Sequence, residues 1–339
     1  MPLTIFCDKI EQGQNLSAAD ARAAFDSIFD GKVPAAQIAG FLSGLHKKGE
    51  TADELLGAVT SMRGKMIAIE APPEAMDIVG TGGDAHGTLN ISTAVAITVA
   101  GCGVPVAKHG NRAASSKSGS SDVLAALGVN LEPPLPVLQR CLAEANICFL
   151  FAPRHHPAMR HVAEVRRQLK TRTIFNLIGP LSNPANVKRH LIGVYDLEWL
   201  GPMAEALKSL GSETAWLTHG HDGMDEITTT APTDVVALRD HRIQHFTLEP
   251  EQAGLPRARL DDLEGGDAAH NAGEMTKLFK GQKGPYQDIV LFNAGAALVV
   301  ANKADDVRQG VALAAAALDS GAAQETLRKV VALTNAIAG

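Results

Sequence analysis

Residues 77–93 read DIVGTGGDAHGTLNIST, and the fold turns on how that run is parsed. Met76, Ile78 and Val79 have the composition of a buried strand. Gly80, Thr81, Gly82 and Gly83 then break the chain. The apolar segment Ile91 to Ala100 predicts a helix, with Asn90, Ser92 and Thr93 at its start. Strand, glycine loop and helix start together make a phosphate-binding arrangement. Glycine lets backbone N–H groups approach an anion closely and accepts positive φ. The helix start adds unpaired donors and the positive end of its dipole. Hydroxyls at Thr88, Ser92 and Thr93 supply further donors, or an oxygen for a metal. An ordinary strand-to-helix turn also uses glycine pairs. The run matches neither G-x-G-x-x-G nor G-x-x-x-x-G-K-[ST], so any phosphate loop here is of another kind.

Downstream, short strands and helices alternate. Strands are expected at Val104–Ala107, Ile147–Phe151, Leu191–Tyr195 and Thr214–Thr218. Helices are expected at Ser121–Leu127, Leu135–Ala145, Pro202–Leu210, Ile289–Ala301, Asp305–Leu318 and Ala323–Ile337. Ile227–Thr229, Val235–Leu238 and Ile243–Phe246 suggest a small antiparallel set. Such alternation argues for an α/β domain with a central, mostly parallel sheet. Upstream the texture is helical. Ser17 with Asp20, Pro34, and Thr51 with Glu54 mark three amphipathic helix starts, and Gly31 and Gly49 mark stops. The division expected is a small all-helical domain over residues 1–70, joined by a helix at about 157–178, and an α/β domain over 75–156 and 179–339. Glu70-Ala71-Pro72-Pro73-Glu74 is the linker.

The 339 residues can bury a large core, and 45% hydrophobic with 20% charged residues is ordinary for a globular chain. A net charge of −6 argues against nucleic-acid binding, and no apolar run reaches membrane-span length. The N-terminus does not read as a signal peptide. Cys7, Cys102, Cys141 and Cys148 are scattered, which suits buried free thiols and a cytoplasmic location.

Three further stretches carry chemistry. Residues 108–122, KHGNRAASSKSGSSD, gather Lys108, Arg112 and Lys117 with many hydroxyls after a predicted strand. A loop of this kind suits a polyanion, though a solvated polar loop has the same composition. Residues 219–226, HGHDGMDE, end in Asp225 and Glu226, a pair suited to Mg²⁺ or to a surface acidic turn. Arg166 and Arg167 stand on the helix expected at Pro157–Leu169, either as a carboxylate clamp or as a solvated face. His155, His156 and His161 form no clear metal-ligand set and read as ordinary polar or lining residues.

Taken together, DIVGTGGD (77–84), NIST (90–93), KHGNRAASSKSGSSD (108–122), HPAM (156–159), TIFNLIGPLSNP (173–184), LIGVY (191–195) and HGHDGMDE (219–226) closely resemble the anthranilate phosphoribosyltransferase family. Pyrimidine nucleoside phosphorylases share the first glycine loop more loosely. The resemblance implies a helical domain beside an α/β domain of the nucleoside phosphorylase class, and a homodimer formed through the helical part. It implies transfer of phosphoribose from 5-phosphoribosyl 1-pyrophosphate to the amino group of anthranilate, in tryptophan biosynthesis, with two Mg²⁺ ions per subunit. Carried over by position, Gly80, Gly83, Asp84, Thr88, Asn90, Ile91, Ser92 and Thr93 would hold the donor. Lys108, His109, Gly110, Asn111, Arg112, Ala113, Ala114, Ser115, Ser116 and Ser120 would close over it. Gly80, Asn111 and Arg166 would contact anthranilate, and Ser92, Asp225 and Glu226 would hold metal. Lys170 stands where the family pattern has glycine.

Departure of pyrophosphate from C1 of ribose leaves positive charge on the sugar, so positioning and charge neutralisation dominate. An aromatic amine is neutral at pH 7 and attacks without prior deprotonation. No strong general base is evident, and His109 is a candidate only for taking a proton after attack. A same-fold nucleoside phosphorylase and a non-catalytic binder are the rival readings. The retained Asp225, Glu226 and lysine-bearing loop argue against the second.

Overall fold

The computed structural model describes residues 2–84, 86–112 and 118–336. The first helices are α1 (Thr4–Glu11), α2 (Ala18–Phe29), α3 (Ala35–Lys48) and α4 (Ala52–Gly64). Then come β1 (Met76–Gly80), α5 (Ile91–Gly101), β2 (Val106–Gly110), α6 (Ser120–Ala126), α7 (Leu135–Ala145) and β3 (Ile147–Phe151). The middle of the chain holds α8 (Ala152–His155), α9 (Arg160–Leu169), α10 (Ile174–Ile178), β4 (Arg189–Gly193), α11 (Leu200–Ser209) and β5 (Thr214–Gly220). The hairpin β6 (Thr233–Arg239) and β7 (Arg242–Leu248) precedes α12 (Ala268–Phe279), α13 (Pro285–Val300), α14 (Val307–Asp319) and α15 (Ala322–Asn335).

The caps expected in the helical part are present. Ser17 Oγ accepts from Asp20 N at 3.1 Å. Thr51 and Glu54 exchange bonds of 3.3 and 2.9 Å in a capping box. Glu54 is fully buried, and it also accepts from Leu16 N at 2.9 Å and Lys48 Nζ at 3.0 Å. The part has four helices instead of three. α1 escapes pattern reading because only Phe6 and Ile10 within it are buried and no side chain caps it. Phe25 packs against Phe41 at 5.6 Å and against Phe175, on α10, at 5.8 Å between ring centroids. Val162 and Val165 on α9 join the same core. Pro157–Met159 is a 3-10 turn, so α9 begins three residues later than expected, at Arg160.

One sheet of seven strands runs in the order β3-β2-β1-β4-β5-β6-β7. The first five are parallel and the hairpin adds two antiparallel strands at one edge. The small antiparallel set is thus an extension of the main sheet. Ile227–Thr229 is not a strand: Asn293 bonds both the N–H and the carbonyl of Ile227, at 2.9 and 2.7 Å. Alternation assigns the two faces. Trp216, Val235 and Ala237 face the core built on α5 and α13, while Leu217, Val236 and Leu238 face the core shared with the helical part. α5 and α13 are apolar all round and buried, as helices covering a sheet interior must be.

β2 begins at Val106, not Val104, because Pro105 lacks an N–H for the ladder and instead accepts from Met76 N at 3.0 Å. This shift matters: Lys108 and His109 are buried strand residues, not loop residues. α12 has no counterpart among the expected elements. From β1 the chain winds outward through β2 and β3, then returns to β4 on β1's other side. The carboxyl ends of β1 and β4 therefore flank a topological switch point, where open α/β sheets form their clefts. Among the described residues no helix is long and apolar enough to cross a membrane. All four cysteines are free, with Cys141 and Cys148 buried and Cys7 and Cys102 half-buried.

Candidate active site

At the switch point Gly80 ends β1 beside Gly193, which ends β4. Both are glycine for steric reasons. A Cβ on Gly80 would stand 2.6 Å from Asp225 Oδ2, and one on Gly193 would stand 1.5 Å from the Asp225 carbonyl oxygen. The loop after β5 is thereby allowed under the glycine loop. Asp222 braces it, accepting from Thr228 Oγ1 at 2.6 Å and Met224 N at 3.0 Å. Asp225 Oδ2 accepts from Gly82 N at 2.7 Å, and Glu226 Oε1 accepts from Ser92 N at 3.1 Å. The two carboxylates thus tie the loop and the first turn of α5 to the sheet. They also occupy N–H groups that face the cleft.

Lys108 Nζ donates to the Ile78 carbonyl and to Ser92 Oγ, the latter at 3.3 Å. Burial lowers its pKa, and Asp77, Glu226 and Asp225 oppose that shift. Burial also raises Asp225 well above the usual carboxylate range, with Asp84 and Glu226 adding repulsion. Glu226 is pushed up to about 7, first by burial, although Lys108 pulls it down. The buried Asp225 and half-buried Glu226 carboxylates, beside Asp84 and the Ser92 hydroxyl, are hard oxygen donors whose mutual repulsion Lys108 only partly offsets. That set fits Mg²⁺, which binds through one or two carboxylates and completes its shell with water and substrate phosphate. Among the described residues no three His, Cys, Asp or Glu side chains group as an all-protein cage.

Asp77 sits beneath this layer, fully buried. It accepts from His109 N at 3.0 Å and from Asn183 Nδ2 at 2.7 Å, and burial raises it to about 6. His109 Nε2 lies 3.2 Å from His156 Nε2. Burial holds both rings neutral, His156 falling to about 4 and His109 well below its ordinary value. His109 is therefore a weak base where it stands.

The facing wall comes from the helical side. Arg166 on α9 lines the cavity with its guanidinium 5.3 Å from the Phe175 ring centroid, and burial lowers its pKa. Arg167 points away and pairs with Glu164. Arg172 donates to the Gly83 carbonyl at 2.5 Å and stacks 4.0 Å above the Tyr195 ring centroid.

The cavity between the walls is about 620 Å³, within the range of small-molecule sites. It is lined by Gly80, Gly83, Asp84, Thr88, Asn90, Ile91, Ser92, Lys108, His109, Gly110, Asn111, Arg112, Ser120, Arg166, Asp225 and Glu226, all expected from the sequence. Thr93 is the exception: it is fully buried, its hydroxyl has no hydrogen-bond partner among the described residues, and it is not among the lining residues. Ala113, Ala114, Ser115 and Ser116 lie outside the described residues. The reading from sequence missed Met62, Arg160 and Phe175 on the facing wall. An apolar or basic position on an amphipathic helix carries no local sign that its face meets a cleft.

Two family models match the chain: "Glycosyl transferase family, helical bundle domain" over residues 6–66 and "Glycosyl transferase family, a/b domain" over residues 72–324. The anthranilate phosphoribosyltransferase of Beijerinckia indica is 54% identical over 330 residues, covering 97% of this chain and 96% of its own. That of Rhodospirillum rubrum is 55% identical over 327 residues, covering 96% and 94%. The crystal structure of anthranilate phosphoribosyltransferase from Thermus thermophilus superposes with a TM-score of 0.93 at 42% identity, covering 97% of this chain and 99% of that one. The Saccharomyces cerevisiae enzyme in complex with PRPP and Mg superposes at 0.91 with 26% identity, covering 99% and 98%. Sequence likeness of this extent, on a matching fold, means that the chain belongs to the anthranilate phosphoribosyltransferase family.

Proposed function

We propose that the two walls of the cleft divide the reaction between them, the sheet side holding the phosphoribosyl donor and the helical side the acceptor. The reaction is transfer of phosphoribose from 5-phosphoribosyl 1-pyrophosphate to the amino group of anthranilate, in tryptophan biosynthesis, with magnesium. The observation that carries the division is the joining of Asp225, Glu226, Ser92 and Lys108 into one polar, charged layer, with Arg166 on the opposite wall.

On this reading Gly80, Gly83, Asp84, Thr88, Asn90, Ile91 and Ser92 embrace the pyrophosphate and ribose. Lys108, His109, Gly110, Asn111, Arg112 and Ser120 close the far side. Asp225, Glu226 and Ser92 hold magnesium, two ions per subunit. When bound, magnesium neutralises the pyrophosphate charge and so improves it as a leaving group. Lys108, fixed between the Ile78 carbonyl and Ser92, places a second positive charge at the floor, where charge accumulates as the C1–O bond breaks. Arg166, with Gly80 and Asn111, orients the carboxylate of anthranilate so that its neutral amine faces C1. Attack leaves an excess proton on nitrogen. His109 is at hand to receive it, but the burial that keeps the ring neutral makes water or departing pyrophosphate the stronger acceptor. The enzyme acts as a cytoplasmic homodimer joined through the helical domain, to which residues 157–178 belong.

Loss of anthranilate fluorescence on adding the donor tests this. The loss is expected to need both donor and magnesium, and to stop on chelation. If folded protein binds the donor but consumes no anthranilate, the donor half stands and the acceptor half falls. A screen of amines and nucleosides would then follow.

A further inference from the structure

Asn90 has the amide of another asparagine against its own, contributed by an element remote in sequence. Asn271 on α12 donates from Nδ2 to Asn90 Oδ1 at 2.8 Å and accepts at Oδ1 from Gly266 N at 2.7 Å. Asn271 is 2% exposed and is not among the residues lining the cavity. The segment before it is fastened along the glycine loop. Leu89 N donates to Leu263 O at 3.0 Å, and Gly265 N to Gly87 O at 2.9 Å. Tyr286 OH donates to the Asn90 carbonyl at 3.3 Å.

The polarity of this chain is fixed at one end. A backbone N–H can only donate, so Gly266 requires the oxygen of the Asn271 amide. That turns the Asn271 nitrogen toward Asn90, which must answer with its oxygen. The Asn90 nitrogen is left on the other side, where it donates to Ser118 O at 3.5 Å while the Ser118 hydroxyl donates to Asn90 Oδ1 at 3.4 Å, and both residues line the cavity. An anion or a sugar oxygen in that cavity needs a donor, and the opposite flip would offer it an acceptor.

We propose that Asn271 is a positioning residue for the phosphoribosyl donor, setting through Gly266 the flip in which Asn90 presents its N–H₂ to the cavity. This rests on the reading of Asn90 as a donor contact. The test is a double-mutant cycle on the full chain, reading KM for 5-phosphoribosyl 1-pyrophosphate and for anthranilate with the melting temperature of each variant. Asn271→Asp keeps an acceptor for Gly266 but removes the N–H₂, so Asn90 turns over. The donor KM is expected to rise roughly tenfold to a hundredfold, as for a lost bond to a charged group, while the anthranilate KM stays within twofold. In an Asn90→Ala background the same substitution is expected to add almost nothing. Equal effects of Asn271→Asp in both backgrounds, or none in the wild type, would overturn the proposal while leaving Asn90 at the donor. An unchanged donor KM in Asn90→Ala alone would remove Asn90 from the donor site, and the proposal with it. Asn271→Ser, whose hydroxyl still accepts from Gly266 while leaving Asn90 unconstrained, runs through the same cycle if the aspartate variant fails to fold. A smaller rise confined to the Asn90 background supports the proposal, and a rise in both overturns it.

Discussion

The two walls of the cleft are built on opposite principles. The sheet wall is a buried polar lattice. Lys108, Asp77, Asp225 and Glu226 lie within a layer of strand ends and loops, and bonds spanning 16 to 143 residues of sequence lock them together. The helical wall is mostly side-chain packing: Arg166, on α9 with its solvated outer face, lies beside Phe175 on the buried α10. The contrast suits the two substrates. A polyanion and its metal need fixed charge, whose positioning is completed before the ligand arrives. An aromatic acid needs an apolar slot and one cation.

The sharpest way to break the sheet wall is Lys108→Met. It removes the cation facing the carboxylates of Asp77, Asp225 and Glu226 and leaves them uncompensated. Breaking a buried ionic network by removing one partner is destabilising by about 3–5 kcal/mol. The expected result in denaturant unfolding is a loss of that order, with activity gone. A loss under about 1 kcal/mol would mean that the carboxylates are already protonated or solvated, and that the wall is softer than its geometry implies.

On the helical wall the expected failure is selective. Arg166→Ala should raise the anthranilate KM by roughly tenfold to a hundredfold, as for one charged hydrogen bond, with the donor KM unchanged and the melting temperature nearly so. Arg167→Ala, on the solvated face, serves as the control. If Arg166→Ala raises both KM values together, the walls are not separable.

Acid probes the sheet side independently. His190 on β4 is fully buried, and burial, then Arg63, lowers its pKa to about 3 against an opposing backbone contact at Val187. A folded pKa below the unfolded value means that the fold resists a proton the unfolded chain accepts. Stability is therefore lost as pH falls below about 6.5, and the loss continues down toward about 3. His190→Leu should remove about 2 kcal/mol of the decline between pH 6.5 and 5. Asp77, raised to about 6, has the opposite sign, because the fold holds its proton more tightly than the unfolded chain does. Comparing variant with wild type at each pH isolates His190. Parallel pH curves for the two would show that the ring is protonated in the fold.

The sheet wall was also the more legible in sequence. Its residues cluster in glycine-rich and charged runs after apolar strands, and phosphate chemistry restricts what such runs can be. The α/β class and the strand–loop–helix reading stand as expected, and most of the residues named from sequence on this wall line the cavity, joined by Val79, Gly87, Leu89, Ser118 and Gly119, which were not named for the site. What stayed hidden is contributed by side chains acting across the chain. Asp77 reads as one more strand residue until His109 and Asn183 close on it. Asn271 lies in α12, an amphipathic helix that the pattern did not register. Lys108 reads as a loop residue because the apolar run ends before it, although the β2 ladder runs on to Gly110. Met62, Arg160 and Phe175 were invisible for the converse reason: packing positions on helices look alike whichever cavity they border.

The smallest effect lies at the junction of the two walls. Lys170 caps α9 with φ 53° and ψ 19°, in the left-handed region, and its N–H reaches the Arg166 carbonyl at 3.4 Å. An L-residue with a Cβ is strained there by about 1–2 kcal/mol, which is why helices favour glycine at such caps. The turn nevertheless forms, because Arg172 just beyond it is anchored to Gly83 and Tyr195. Lys170→Gly should therefore relieve strain without moving Arg166. Glycine's greater freedom in the unfolded chain offsets part of the gain, leaving a net stabilisation of about 0.5–1 kcal/mol. The anthranilate KM should stay within twofold. Stabilisation with a shifted KM would mean that the lysine cap itself aims Arg166, and the helical wall would then owe its geometry to one strained residue as well as to packing.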